Sequence, residues 1–204
     1  MAIFLREDDV TRLLPINEAI EMVEQGFKEQ GNGTGVNLPR ERAQAGGMGV
    51  TMMVAALGER GVSGFKAMGA GKPLVLLYGG EPRQLLAVIE AGALGQIRTG
   101  AASGVATRYM AREDASSVGI IGTGNQAITQ LSAVCAVRAI KTIKAYSRTP
   151  ERREEFCRSM SDSLGIQVSP VSSAQEAIQG TDIAIAITNV RTLEPVLMGN
   201  WLEP

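Results

Sequence analysis

The hydrophobic pattern of the first half of the chain changes near residue 31. Ile20, Val23 and Phe27 recur at helical spacing, which predicts a helix over residues 8–30 with Asn17 as a candidate cap. Four short apolar runs separated by glycine turns follow, namely GVTMMVAALG, GVSGFKAMGAG, PLVLLYGG and RQLLAVIEAG. Their spacing predicts an antiparallel meander, and residues 91–111 return to a helical pattern.

From residue 117 onward, apolar strands alternate with helical segments. The strands are predicted at 118–121, 142–148, 166–171 and 182–188, and the two longer helices at about 126–139 and 150–164. Thr149 can cap the second of these helices with Pro150 at its first position, and Ser173 and Glu176 form a capping box for a short helix. The alternation predicts a doubly wound parallel sheet with its strands in the order 3-2-1-4.

These patterns together predict an α/β protein with two domains. Residues 1–114 form an α+β domain that contains the meander, and residues 115–204 form a Rossmann-type domain. The boundary is placed in the polar stretch REDASS, residues 112–117.

The composition excludes several classes of protein. The 204 residues carry a net charge of −1, with a pI of about 5.7, so nothing indicates binding to nucleic acid or to an anionic membrane surface. No apolar stretch reaches the roughly 18 residues of a membrane span, and the N-terminus turns acidic too early for a signal peptide. Cys135 and Cys157 are expected to be reduced thiols in a cytoplasmic protein.

The chain contains no histidine. A Ser-His-Asp triad, a Cys-His pair and a histidine metal site are therefore excluded within it, and no metal is expected. Acid–base chemistry falls to Lys, Asp, Glu, Tyr or Cys, or to a cofactor.

A glycine loop between a strand and a helix supplies the clearest chemical signal. In VGIIGTGNQA, residues 118–127, Gly122, Gly124 and Ala127 fit the dinucleotide-binding pattern G-x-G-x-x-[GA]. Gly122 permits a tight turn, Gly124 lets a pyrophosphate approach the backbone, and Ala127 keeps the helix close to the strand. The alternative is a plain glycine turn between a strand and a helix.

The end of the second strand of this unit indicates which dinucleotide is bound. An acidic residue there would bind the free ribose hydroxyl of NAD, but this chain has Ser147, Arg148 and Thr149. Arg148 can pair with a 2′-phosphate, so NADP(H) is predicted to be preferred, with NAD(H) possible. The alternative is that Arg148 is a solvated surface residue.

Seven motifs give the chain a resemblance to the ornithine cyclodeaminase/mu-crystallin family over essentially its whole length. They are LPRER (38–42), GFK (64–66), QIRTGAASGVAT (96–107), IGTGNQA (121–127), SRTPE (147–151), GTDIAIAIT (180–188) and PVLMGNWLEP (195–204). The resemblance implies that residues 1–114 are the N-terminal portion of a substrate-binding and dimerisation domain. It also implies a homodimer that acts on a small amino or imino acid.

Three basic residues are implied as the substrate site by this resemblance. Arg42 would bind the substrate carboxylate, with Arg40 as the alternative; Lys66 would be the catalytic lysine and Arg98 would lie where cofactor and substrate meet. Guanidinium groups suit a carboxylate, and burial would lower the pKa of Lys66. Other interpretations are an edge-strand role for Lys66, a surface role for Arg42, and an Arg98 that opens a helix and pairs with Glu90.

The resemblance also implies a set of cofactor contacts that extends beyond the glycine loop. The implied contacts are Arg98, Thr99, Gly122, Thr123, Gly124, Asn125, Gln126, Ser147, Arg148, Thr149 and Thr188. A β-branched strand residue is the alternative interpretation of Thr188.

Three functions are compatible with these observations. The first is an NAD(P)-dependent oxidoreductase of a small 2-amino or 2-imino acid, of the amino-acid dehydrogenase or ketimine reductase type. The second is a cyclodeaminase that releases ammonia and recycles NAD internally, and the third is a non-catalytic, crystallin-like NADPH-binding protein. The family pattern continues past Pro204 with the last strands of the sheet and an acid–base aspartate, so the chain resembles a truncated member and is expected to be inactive alone.

Overall fold

The structure is a computed structural model that describes residues 1–189 and 193–203. The chain divides into two compact units, Met1–Arg98 and Thr99–Pro204. This division falls inside a long helix, ahead of the domain boundary predicted between residues 114 and 115, which stays a prediction. The motif at 195–204 ends on Pro204, which lies outside the described residues.

The first unit is built on a seven-stranded sheet in the order β1-β7-β6-β5-β4-β2, with β3 paired to β4. Its strands are β1 (Ile3–Leu5), β2 (Gly35–Asn37), β3 (Glu41–Ala45), β4 (Met48–Leu57), β5 (Val62–Met68), β6 (Leu74–Gly79) and β7 (Gln84–Glu90). Strands β4 to β7 pair antiparallel in sequence order, so the predicted meander is confirmed. Strand β1 extends the sheet by pairing parallel to β7.

Two helices replace the single helix predicted over residues 8–30. Helix α1 spans Glu7–Leu13 and helix α2 spans Ile16–Gly31. Pro15 breaks the pattern because it has no N–H to donate and disfavours a helical conformation at Leu14. Pro15 is also the N-cap of α2, so the prediction that Asn17 caps this helix was wrong.

Helix α3 spans Gly92–Met110, in agreement with the helical pattern predicted over residues 91–111. The remaining elements alternate as predicted: β8 (Ser117–Ile121), α4 (Asn125–Val137), β9 (Thr142–Tyr146), α5 (Pro150–Leu164), β10 (Val168–Pro170), α6 (Ala174–Ile178) and β11 (Ile183–Ala186). The four strands are all parallel, in the order β10-β9-β8-β11. The predicted order 3-2-1-4 and the Rossmann-type sheet are therefore confirmed.

The core of the second unit surrounds strand β8. Val118, Ile120 and Ile121 are buried because helices cover both faces of a central parallel strand. A side chain on Gly119 would overlap the carbonyl oxygen of Ala177, which shows how closely α6 packs on this strand. The sheet therefore forms a firm base for the loops that follow its strands.

The caps of the helices in this unit are partly those that the sequence predicts. The hydroxyl of Ser173 accepts a hydrogen bond from the backbone N–H of Glu176 at 3.1 Å, which confirms Ser173 as the cap of α6. The reciprocal half of the predicted capping box was wrong, because the carboxylate of Glu176 accepts from the backbone N–H of Ser172 at 2.9 Å. Pro150 occupies the first position of α5 as predicted. Thr149 precedes it as the capping residue, but its side chain makes no capping hydrogen bond, so that part of the prediction was wrong.

Candidate functional site

Lys66 lies on a central strand of the first unit. Strand β5 is flanked by β4 and β6, where Met53 and Val75 are directly opposite Lys66. Cross-strand partners share a face of the sheet, so the aliphatic part of the Lys66 side chain lies between the apolar side chains of Met53 and Val75. The interpretation of Lys66 as an edge-strand lysine is therefore wrong.

The amino group of Lys66 reaches the start of helix α3. Its Nζ donates a hydrogen bond to the carbonyl oxygen of Ala91 at 3.3 Å. One turn further along the helix, a Cβ atom on Gly95 would lie 2.8 Å from the same nitrogen. The absence of a side chain at Gly95 therefore leaves the space that the amino group occupies.

Burial and neighbouring charges both act on Lys66. Burial lowers its pKa below the ordinary value, and the guanidinium groups of Arg98 and Arg40 lower it further, while the carboxylate of Glu7 opposes them. A larger fraction of the amino groups is therefore neutral near physiological pH than for a solvated lysine. The three basic side chains form a group that we call the cationic cluster: Arg40, Lys66 and Arg98.

The structure brings Arg40, and not Arg42, to this cluster. One guanidinium nitrogen of Arg40 lies 3.8 Å from the sulfur of Met53, the residue directly opposite Lys66. Arg42 pairs with Thr51 one row away and lines a cavity of about 480 Å³ beside the β3–β4 turn. The alternative raised by the sequence motif PRER therefore fits the geometry better than the residue first predicted.

Arg98 is exposed on the second turn of α3 and does not open this helix, which begins at Gly92. The predicted alternative of a pair with Glu90 is wrong, because Glu90 accepts hydrogen bonds from Lys72 at 3.0 and 3.1 Å. Within the described part of the chain, Arg98 makes no hydrogen bond or ion pair. Its guanidinium group is thus available to an anion.

In the second unit, Gly122 takes a conformation that other residues rarely adopt. Its φ is +109°, and a side chain there would overlap the carbonyl oxygen of Ile187 and lie 3.3 Å from the methyl group of Thr188. Its backbone N–H donates to the carbonyl of Tyr146 at 2.8 Å. The loop after β8 is therefore held between the ends of β9 and β11, and Thr188 lies beside it.

Gly124 differs from Gly122 because it has open space around it. It is the N-cap of α4, its φ is −84°, and nothing lies within 4 Å of the position of a Cβ atom. Asn125 and Gln126 follow in a first turn that contains no acidic residue. The side-chain oxygen of Gln126 is buried without a hydrogen-bond partner among the described residues.

The loop after β9 is tied to the glycine loop by hydroxyl groups. Thr123 donates to the hydroxyl of Ser147 at 2.9 Å, and Ser147 contacts the carbonyl of Thr149 at 3.5 Å. Arg148 is exposed and makes no hydrogen bond or ion pair within the described residues. The guanidinium group of Arg148 can thus bind an anion at this edge of the sheet, whereas the hydroxyl of Ser147 already makes hydrogen bonds within the protein.

Two polar residues near the sites were missed by the sequence reasoning. Arg153 donates to the carbonyl of Ser147 at 3.1 Å and lies over the ring of Tyr146, and these two contacts hold the loop after β9 in place. The position of Arg153 one turn into α5 was the available signal for it. Glu7 accepts hydrogen bonds from the start of α3, about 85 positions further along the chain, and no local pattern indicates that contact.

These features fit a dinucleotide. The free N–H groups and the positive dipole end of α4 suit a pyrophosphate, and the open space at Gly124 lets it reach the backbone. Among the described residues, no group of three or more His, Cys, Asp or Glu side chains is placed to hold a metal ion. No helix in the described ranges is long and apolar enough to cross a membrane.

Comparison with known proteins agrees with this arrangement. The sequence pattern of the ornithine cyclodeaminase/mu-crystallin family matches residues 2–204, and the chain belongs to this family. The resemblance carried by the sequence motifs is therefore confirmed.

Three relatives illustrate the similarity. A Delta(1)-pyrroline-2-carboxylate reductase of Bacillus cereus is 42% identical over 113 residues, which are 55% of this chain and 34% of that protein. The structure of the Thermococcus litoralis Delta(1)-pyrroline-2-carboxylate reductase with NADH and L-proline has a TM-score of 0.89 and 35% identity, over 98% of this chain and 65% of that one. An archaeal alanine dehydrogenase dimer with bound NAD has a TM-score of 0.88 and 29% identity, over 99% of this chain and 64% of that one. The chain spans less than two thirds of each of these relatives.

Proposed function

We propose that the protein is an NAD(P)-dependent oxidoreductase that acts on a small 2-imino or 2-amino acid. The observation that carries this proposal is the cationic cluster of Arg40, Lys66 and Arg98, in which two guanidinium groups act on one partly buried amino group. The solved relative with 35% identity holds NADH and L-proline, a small amino acid with a carboxylate, which supports the same substrate class.

The cationic cluster suits a substrate carboxylate. A guanidinium group binds a carboxylate through two parallel hydrogen bonds, and Arg40 or Arg98 could supply them. A bound carboxylate would also offset the repulsion between the arginines and Lys66. Because the pKa of Lys66 is lowered, its Nζ can pass a proton to a substrate nitrogen more readily than a solvated lysine can.

The dinucleotide would be held by the second unit. The pyrophosphate would lie against the backbone at Gly124 and the first turn of α4, and Arg148 would face a 2′-phosphate. When bound, the reduced cofactor supplies a hydride for the imine carbon. Thr188 and the engaged hydroxyl of Ser147 would shape the walls of this site.

We also propose a preference for NADP(H) over NAD(H). The exposed Arg148 without a partner among the described residues and the absence of an acidic residue at the end of β9 support it. The Thermococcus relative was solved with NADH, so the preference has to be measured for this chain.

The function is tested by following oxidation of NADPH with Δ1-pyrroline-2-carboxylate and with open-chain imino acids. The proposal expects net cofactor oxidation that is lost in Lys66→Met, and such activity would contradict the expectation from the family pattern that the chain is inactive alone. Lys28→Met is the matched control, because Lys28 pairs with Glu24 on helix α2 of the same unit and lies outside the cationic cluster. Ammonia release without net cofactor oxidation would identify a cyclodeaminase instead, and tight cofactor binding without either reaction would identify a binding protein.

A homodimer is proposed from the other face of the sheet in the first unit. An apolar row crosses five strands on that face: Phe4, Val54, Phe65, Leu76 and Val88. Phe4 and Val54, at its two ends, are 54% and 37% exposed. A second copy of the chain would cover this row, and the archaeal alanine dehydrogenase relative is a dimer. Light scattering after gel filtration tests it, with Val54→Lys expected to give a monomer.

A further inference from the structure

A carboxylate from helix α1 caps the N-terminus of helix α3. Glu7 accepts hydrogen bonds from the backbone N–H groups of Gly92 at 2.8 Å and Ala93 at 2.6 Å. These are the first two residues of α3, whose N–H groups have no acceptor within the helix. A negative charge is also favoured at the positive end of a helix dipole. Glu7 therefore fixes the first turn of α3.

The same turn holds the amino group of Lys66. The carbonyl oxygen of Ala91, directly before α3, accepts hydrogen bonds from Lys66 at 3.3 Å and from the backbone N–H of Gly95 at 3.1 Å. Ala91 is buried and donates its own N–H to the carbonyl of Pro73 at 2.8 Å. A movement of this turn would therefore displace the partner of Lys66.

Glu7 is itself anchored by a neighbouring ion pair. Its backbone N–H donates to the carboxylate of Glu90 at 3.1 Å, and Glu90 in turn accepts hydrogen bonds from Lys72. Glu90 is paired with Lys72, and the carboxylate of Glu7 is the negative charge that acts on Lys66. It raises the pKa of Lys66, whereas Arg98 and Arg40 lower it. Both the position and the charge of Glu7 are thus set by the fold.

We propose that Glu7 is a positioning residue for Lys66, which it serves by holding the first turn of α3 and by placing one negative charge beside the cationic cluster. The catalytic meaning of this role rests on the proposed function, whereas the position of Glu7 does not. Its neighbour Asp8 provides a matched control, since Asp8 is exposed on the same turn of α1 and makes no hydrogen bond or ion pair within the described residues.

The first test is the titration of Lys66 in the whole 204-residue chain, followed by NMR of labelled lysine side chains. Glu7→Gln keeps the size and one acceptor oxygen but removes the charge, so Lys66 should titrate at a lower pH than in the wild type. Asp8→Asn should leave the titration unchanged. An unchanged titration in Glu7→Gln, or an equal shift in Asp8→Asn, overturns the proposal.

The second test separates geometry from charge. Glu7→Asp keeps the charge on a shorter side chain, which cannot span both N–H groups. The amide hydrogens of Gly92 and Ala93 should exchange faster than in the wild type, while Lys66 titrates closer to the wild type than in Glu7→Gln. If circular dichroism shows that Glu7→Gln does not fold, this variant decides, and unchanged exchange at Gly92 and Ala93 overturns the proposal.

The pH dependence of imino-acid reduction connects this role to the proposed function. The pH–rate profile of Glu7→Gln should shift in the same direction as the titration of Lys66, and that of Asp8→Asn should not. A shifted titration with an unshifted profile would support the position of Glu7 and contradict the proposed role of Lys66. A titration that does not shift overturns the role of Glu7, whatever the rate assay shows.

Discussion

A Cβ atom on Gly95 would lie 2.8 Å from the amino nitrogen of Lys66, closer than two such atoms can approach. The glycine on helix α3 and the lysine on strand β5 therefore depend on each other, although they are far apart in the sequence. Because the clashing atom is the end of a flexible side chain, the protein can accommodate a larger residue at 95 only by moving the amino group. The position of the Lys66 amino group thus depends in part on the absence of a side chain at residue 95.

Gly95→Ala should reduce imino-acid reduction by about tenfold or more, because small displacements of a catalytic group carry costs of this order. Its melting temperature should change little, since alanine favours the helix and only the amino group must move. Gly26→Ala is the control, because Gly26 is also helical but has nothing within 4 Å of a Cβ position. Wild-type rates in Gly95→Ala would contradict the position of Lys66 described here.

Gly124→Val should abolish dinucleotide binding while the fold stays intact. A valine fits at this open position, where φ is −84°, but it occupies the space that a pyrophosphate needs. Gly122→Ala should instead lower the free energy of unfolding by about 1–3 kcal/mol, because its φ of +109° is unfavourable for alanine. Calorimetric titration with NADPH and thermal melts separate the two effects, and unchanged NADPH affinity in Gly124→Val would remove this loop from the cofactor site.

Arg148→Ala should weaken NADPH binding about tenfold or more and leave NADH binding nearly unchanged. A charge-assisted hydrogen bond of Arg148 to a 2′-phosphate is worth about 1.5–3 kcal/mol, and NADH lacks that phosphate. Arg158→Ala is the control, because Arg158 is an exposed arginine further along α5. Equal losses for both cofactors, or tighter binding of NADH by the wild type, would refute the predicted preference.

Asp182 should make the stability of the second unit depend on acid pH. It accepts hydrogen bonds from the backbone N–H groups of Ser116 and Ser117, both at 2.9 Å, and it pairs with Arg112. These interactions lower the pKa of Asp182 from 3.8 to about 2. A depressed folded-state pKa stabilises the protein above the unfolded value, so this contribution is present above pH 3.8 and is lost as the pH falls toward 2.

The measurement is thermal unfolding of Asp182→Asn at neutral and at acid pH. The variant should melt below the wild type at neutral pH, and the difference should shrink as the pH is lowered through this range. Asp162→Asn, at an exposed position of α5, is the control and should melt like the wild type at both pH values. A difference that does not change with pH would show that the charge of Asp182 is not its source.

The sheet of the second unit could be predicted from the sequence because its signals are local. Alternating strands and helices determine a parallel sheet, and the glycine loop after the first strand identifies which strand is central. The pairing of β1 with β7 could not be predicted, because these strands lie at opposite ends of the first unit's sequence and short strands carry little pattern. Pro15 is a local signal for the break between α1 and α2, because proline disfavours a helical conformation at the residue before it. The apolar residues at helical spacing nevertheless suggest one continuous helix.

The candidate site could be predicted only in part, since its residue types are visible in the sequence but their neighbours are not. Sequence motifs indicate Lys66 and Arg98, yet the choice between Arg40 and Arg42 depends on the pairing of β3 with β4. Arg42 is the second residue of β3 and Arg40 lies directly before that strand, so the two are distinguished only by the neighbours that each side chain reaches. The role of Glu7 depends on a contact across about 85 positions, and a single sequence offers no sign of it.

The central claim is that the cationic cluster binds the carboxylate of the substrate, and the most direct measurement is the titration of Lys66 with a carboxylate probe. Pyrrole-2-carboxylate presents a small planar ring with one carboxylate, and its amide is the matched control without the charge. A carboxylate beside Lys66 offsets the repulsion from Arg40 and Arg98, so the pKa of Lys66 should rise when the acid binds and stay unchanged with the amide. Binding of both compounds with an unchanged titration of Lys66, or no binding of the acid at all, would contradict the site described here.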